Sequence, residues 1–154
     1  MALRPVITLA LLCALVTASA SARNAPHVPR PALPNHGLTP GARFAVGKAK
    51  VCKTGYSARV RNVSESKKDL AYARYHLKRV AYAYEVDHLI SLELGGSNAL
   101  VNLWPEHYYG LWGARTKDRL ENKLHALVCA GRLSAGCVTG VSGRINALGD
   151  SRAG

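Results

Sequence analysis

YEVDHLISLELGGSNALVNLWPE, residues 84–106, changes character twice. As far as Leu94 it is rich in β-branched, aromatic and aliphatic residues; GGSN then gives a turn signal, with Ser97 and Asn98 helping to shape it. LVNLWP is a second short run, stopped by Pro105. The pattern predicts a hairpin with a long loop.

On the downstream side, ARTKDRLENKLHALVC (114–129) reads as a helix. Its buried stripe is Leu120, Leu124, Leu127 and Val128, and Gly131 stands where the helix should stop. On the upstream side, Ser64 caps a helix expected over roughly 65–80, with Leu70, Ala73, Leu77 and Ala81 on one face and Tyr72, Tyr75 and His76 packing beside them. VCKTGYSARVR (51–61) offers a short strand or loop that turns at Gly55. Trp104 and Trp112 are expected as core or loop anchors. Fold class is therefore α+β: a long-loop hairpin packed on a helix, with an additional N-terminal helix.

The flanks are different. Arg4 followed by VITLALLCALV and the small residues TASASA reads as a signal peptide over 1–22, cleaved after Ala22 or Ala20. That run is too short to span a bilayer as a helix, and nothing later is long and apolar enough. Cys13 follows the bulky Leu12, which disfavours a lipoprotein. The expected location is secreted or periplasmic. Residues 23–43 hold five of the seven prolines and read as an extended linker, 44–131 as the folded domain, and 132–154 as a Gly-rich irregular tail.

An exported chain meets an oxidising compartment, where cysteines pair. Cys52, Cys129 and Cys137 remain after leader removal. A Cys52–Cys129 bridge, tying the start of the folded region to the end of its last helix, is the expected pairing, and Cys129–Cys137 is its rival. With no Cys-x-x-Cys spacing, a zinc knuckle or redox motif has little support.

Lys and Arg number 21 against 9 Asp and Glu, a formal charge of +12 that falls to +11 without Arg4. Such a surface draws polyanions: nucleic acid first, with envelope polymers or membrane surfaces drawn by the same field. Yet Glu85, Asp87, Glu93, Glu106, Asp118 and Glu121 fall within one stretch. Positive surroundings around clustered carboxylates suit a site that binds a cation and a phosphate together.

Asp-His on the first strand, Asn-Leu opening the second and a helix after them resemble the HNH, or ββα-metal, nuclease superfamily at VDHLISLELGGSNALVNLW. More narrowly, the chain is similar to small exported bacterial proteins patterned on VC..GY...VR, DH..LELGG.N..NLWPE and KD.LEN.LH..VC.G, over about residues 50–131. The resemblance implies a metal-dependent endonuclease acting on DNA, with RNA as a further candidate, and products carrying 5′-phosphate and 3′-hydroxyl. His88 would be the general base, Asn102 would tie the hairpin loop, and Asp87 would hold Mg²⁺, or Mn²⁺, Ni²⁺ or Zn²⁺ in its stead. The chemistry agrees: neutral imidazole takes a proton near physiological pH, and carboxylate oxygen suits a hard cation.

Neighbours on a regular strand point to opposite faces, so Asp87 and His88 share a pocket only if the strand ends, twists or bulges there. The chain also departs from the family's usual histidine or asparagine followed by lysine on the helix. A helical wheel places Glu121 and Lys117 at the border of the apolar stripe, which favours Glu121 as metal ligand and Lys117 as phosphate contact. Asp118 and Asn122, or Glu106 and His107 beyond the second strand, are the alternatives. Arg59, Arg61, Arg115, Arg119 and Lys123 are candidate phosphate contacts that position a duplex without reading its sequence. A basic exported protein that binds nucleic acid or envelope polyanions without cutting them is the other function class.

Overall fold

A computed structural model describes residues 33–110 and 112–134. The leader, residues 23–32 of the linker, Cys137 and nearly all of the Gly-rich tail lie outside the described residues. Among those described, the protein is a mixed α/β fold with four α-helices and one two-stranded antiparallel sheet. No helix there is long and apolar enough to cross a membrane.

The hairpin pairs β1, Tyr84–His88, with β2, Leu103–His107, in unbroken register from Tyr84↔His107 to His88↔Leu103. Pro105 does not stop the second strand; it lies inside β2 opposite Val86. A two-stranded sheet leaves an outer edge on each strand, where a residue without an N–H costs no ladder bond. β1 is shorter than its apolar run suggests. After His88 the chain leaves the ladder and coils through two 3₁₀ turns, Leu92–Leu94 and Leu100–Asn102. Gly95 adopts φ +91, and a Cβ on Gly96 would stand 1.7 Å from the Ile90 carbonyl oxygen, so the loop closes only over glycine here.

Asn102 ties that loop. Its Oδ1 accepts from the Ile90 and Ala42 amides at 2.9 and 3.3 Å, while its Nδ2 donates to the Ile90 and Ser97 carbonyls at 3.1 and 2.8 Å. One side chain thus satisfies four backbone groups of a buried irregular segment.

Residues 39–43, expected within the linker, belong to the fold. Ser97 N donates to Ala42 O, Gly41 N to Val101 O and Phe44 N to Gly95 O, and Thr39 is fully buried against Tyr75 and Leu103. The segment 51–61 is a further correction, because it forms two short helices, α1 (Lys48–Val51) and α2 (Tyr56–Val60), joined through Gly55 at φ +72. Each buries one large side chain, Val51 and Tyr56. A disulfide joins Cys52, just past α1, to Cys129.

Helix α3 is Glu65–Arg74, started by Ser64, whose hydroxyl accepts from Lys67 N. It stops six residues before the expected end. His76 takes φ +53, while Leu77 N bonds to Tyr72 O and His76 N to Ala73 O, a left-handed helix stop made without glycine. Tertiary bonds impose it: the Tyr75 hydroxyl engages Asn35 N and Thr39, and Arg74 donates to the carbonyls of Leu38 and Leu100. The buried face is Ala71 and Tyr72, not the expected stripe; Leu70 is 54% exposed.

Helix α4, Ala114–Cys129, spans the expected residues. It ends in the same backbone motif with Gly131 at φ +74 supplying the left-handed residue. Val128 packs with Leu94, Leu124 and Leu133. Leu120 is largely exposed at the rim of an apolar hollow it shares with Leu33, Trp104 and Trp112. Trp104 is buried, whereas Trp112 is 66% exposed and anchors no core.

Candidate functional site

β1 is regular, so its side chains alternate and the adjoining acid and imidazole part company. Asp87 reaches α4, where its carboxylate contacts Lys117 Nζ. His88 reaches the opposite side, toward Asn98 and the end of α2. No bulge brings the two side chains into one pocket.

On the α4 side, Lys117 sits among oxygens. Its ammonium contacts Asp87 Oδ2, lies 2.5 Å from Glu121 Oε1, 2.9 Å from the His88 carbonyl oxygen and 3.8 Å from Glu106 Oε2. Asp87 comes from β1, Glu106 from β2, and Lys117 and Glu121 from successive turns of α4, so the crevice between hairpin and helix is what assembles the group. Ser91 adds a hydrogen bond to Glu121. Lys117, expected as a phosphate contact, has a side chain only 18% exposed, and its ammonium is engaged by Asp87, Glu121 and the His88 carbonyl.

Protonation follows from this packing. Burial would raise Asp87, but Lys117 and a hydrogen bond from Glu106 outweigh it and hold the carboxyl at about 2. Glu106, 1% exposed, is pushed up to about 10 by burial and by its bond to Asp87, so the pair carries one proton at neutral pH and Glu106 holds it. Burial raises Glu121 to about 7 against the pull of Lys117. Lys117 itself would be lowered by burial, yet Asp87 and Glu121 more than compensate and raise it. The ammonium is therefore permanently charged.

A divalent cation does not fit this crevice as it stands. Asp87 Oδ2 and Glu121 Oε1, from the two expected metal ligands, both lie against Lys117 Nζ, and an ion bound to these same oxygens would overlap the ammonium.

On the other side, His88 is 1% exposed. Asn98 Nδ2 donates to Val60 O at 2.7 Å, which orients the amide so that its Oδ1 faces His88 Nε2 at 3.0 Å. His88 therefore carries its proton on Nε2, and the lone pair is on Nδ1, a buried nitrogen with no protein partner. Burial lowers the imidazole's pKa, and Arg61 and Lys117 lower it further, against Asn98 and Asp87. The ring is neutral at physiological pH. Sequence reasoning assigned Asn98 only to the turn; its spacing from His88 carries no periodic signal, and its role emerges only when the loop folds back. Lys67 Nζ holds the same loop through Asn98 O at 3.0 Å.

The four expected arginines are all exposed. Arg59 caps the Thr54 carbonyl at 2.7 Å, and Arg61 follows α2 on the His88 side. Arg115 stacks over Tyr108, and Arg119 bonds Thr116 on α4.

A second cluster lies at the far end of α4. Cys52, His125 and Cys129 bring ligand-type atoms within 4.8 Å of one another, a group that could hold a metal, although here the two sulfurs are bonded to each other. His125 Nε2 lies 3.4 Å from Cys129 Sγ, and its Nδ1 lies 3.9 Å from Glu93.

No family model, curated protein or solved structure matches the chain.

Proposed function

We propose that the protein is an exported phosphodiester hydrolase of the HNH kind, acting on DNA, and on RNA as a further substrate, with little sequence preference. The observation that carries this reading is His88: neutral, locked in one tautomer by Asn98, with an unpartnered basic nitrogen. Such a ring accepts a proton from water as the water oxygen bonds to phosphorus and the bond from phosphorus to the 3′ oxygen breaks. Arg61, exposed just past α2 and bearing electrostatically on His88, supplies the positive field for the charge that develops on phosphate. Mg²⁺, implied by the resemblance, takes no step here because the Lys117 ammonium stands in its place. Asn102 acts as a positioning residue for the loop that carries Asn98. The Cys52–Cys129 bridge fits export to an oxidising compartment.

The 1% exposure of His88 and the departure of Asp87 to the opposite face favour a second reading, a basic protein that holds nucleic acid or envelope polyanions without cutting them. Supercoiled plasmid incubated with the protein, with and without chelator and beside His88→Ala, separates the two. Hydrolysis predicts nicking that His88→Ala slows by about 10²- to 10⁴-fold. A mobility shift with no nicking in Mg²⁺, Mn²⁺, Ni²⁺ or Zn²⁺ leaves the binding reading standing. Equal nicking by His88→Ala refutes the role given to the imidazole.

A further inference from the structure

The crevice between the hairpin and α4 is built from hard oxygen donors. Two carboxylates (Asp87, Glu121), a protonated carboxyl (Glu106) and a backbone carbonyl (His88) surround one point, and the Ser91 hydroxyl stands behind Glu121. That donor set matches Mg²⁺, Mn²⁺ or Ca²⁺, with no nitrogen or sulfur ligand to favour a softer ion. One more polar atom aims into it: Glu106 Oε2 is buried with no hydrogen bond, 3.8 Å from the cation. The cation is the chain's own lysine.

We propose that Lys117 is the resident cation of this crevice: its ammonium occupies the position of a divalent ion, the folded chain binds no metal there, and deleting the ammonium converts the crevice into a hard-cation site. The inference goes beyond the hydrolase reading and does not depend on it. Lys117 reaches the centre because it lies one helical turn before Glu121, on the border of α4 that faces β1. Swinging it out to solvent would leave Asp87 and Glu121, 14% and 13% exposed, close together without a counter-charge, which is the costly state for buried carboxylates. With Lys117 gone, the same two carboxylates match the charge of one divalent ion.

Mn²⁺ binding to the full chain, read from loss of the free-ion signal in electron paramagnetic resonance, tests this without any assay of activity. The parent should leave the signal unchanged at equimolar protein and metal. Lys117→Ala should take up one Mn²⁺, competed by Mg²⁺, with affinity at least about a hundredfold above the parent's, since a unit charge is removed within a few ångströms of the ion. Its melting temperature should rise on adding metal, and Asp87→Asn in the same background should abolish uptake. Lys117→Met, which keeps the volume, serves if the alanine variant does not fold.

Mn²⁺ uptake by the parent that Asp87→Asn removes overturns the inference, and this arm needs no Lys117 variant to fold. Folded Lys117→Ala and Lys117→Met that both ignore Mn²⁺ overturn it as well. A parent that nicks DNA only with Mn²⁺ held by Asp87 refutes this inference and the metal-free step, and leaves phosphodiester hydrolysis itself standing. A parent that never nicks, but gains Mn²⁺ on losing Lys117, does the reverse.

Discussion

Replacing Glu106 by Gln should change how stability depends on pH more than it changes stability itself at low pH. In the fold, Glu106 keeps its proton up to about 10, whereas in the unfolded chain it loses it near the ordinary value of 4.5. Between those limits unfolding releases a proton. A folded pKa raised above the unfolded one contributes stability that is full below about pH 4.5 and drains away as pH rises toward 10. The slope is about 1.4 kcal/mol per pH unit for one proton, so from pH 5 to pH 8 the parent should lose about 4 kcal/mol through this group, as an upper limit. Gln is a permanent neutral analogue: its amide donates to Asp87 as the carboxylic acid does and cannot ionise. Urea unfolding of parent and Glu106→Gln, followed by tryptophan fluorescence at pH 5, 6, 7 and 8, should give curves that diverge steadily, the variant holding its stability at the alkaline end. Parallel curves would mean that Glu106 is ionised in the fold, and the single shared proton of the Asp87 pair would be refuted.

Asn102→Ala removes four bonds to buried loop backbone and should cost about 3 kcal/mol in urea unfolding; a loss below about 1 kcal/mol would show that the loop holds itself. Reducing Cys52–Cys129 with a phosphine opens a loop with a sequence separation of 77 and should cost about 4.5 kcal/mol by the chain-entropy relation, read as a drop in melting temperature. His88, lowered mainly by burial, should stay neutral as pH falls through 6.5 and protonate only below it, so the nicking rate should hold through that range before it drops. Titration of the ring carbons by nuclear magnetic resonance checks the same point, and a midpoint above 6.5 would contradict it.

Several of these features are visible in residue order alone. The amphipathic period of 114–129 and the glycine two residues beyond it suffice for α4, because helix and stop are both local. Ser64 marks the start of α3 for the same reason, and the Gly-Gly pair followed by Ser97 and Asn98 marks the turn of the hairpin loop. Other features are not visible that way. His76 ends α3 in a conformation its own type disfavours, since bonds from Tyr75 and Arg74 to residues 35–39 and Leu100 hold the chain there. Val51 and Tyr56 sit on short helices, not on a strand, since burial against the loop and the nearby disulfide outweigh local preference.

What the order of residues determined by itself is the inventory: a hairpin, a long loop, a helix, and an acid beside a histidine. What only the tertiary structure decided is which of those groups meet. Strand alternation sent Asp87 and His88 to opposite faces, and the docking of α4 carried Lys117 into the centre of three carboxyl groups that are 15, 19 and 34 positions apart along the chain. Coulomb energy depends on distance in space and on burial, and neither can be read from separation in sequence.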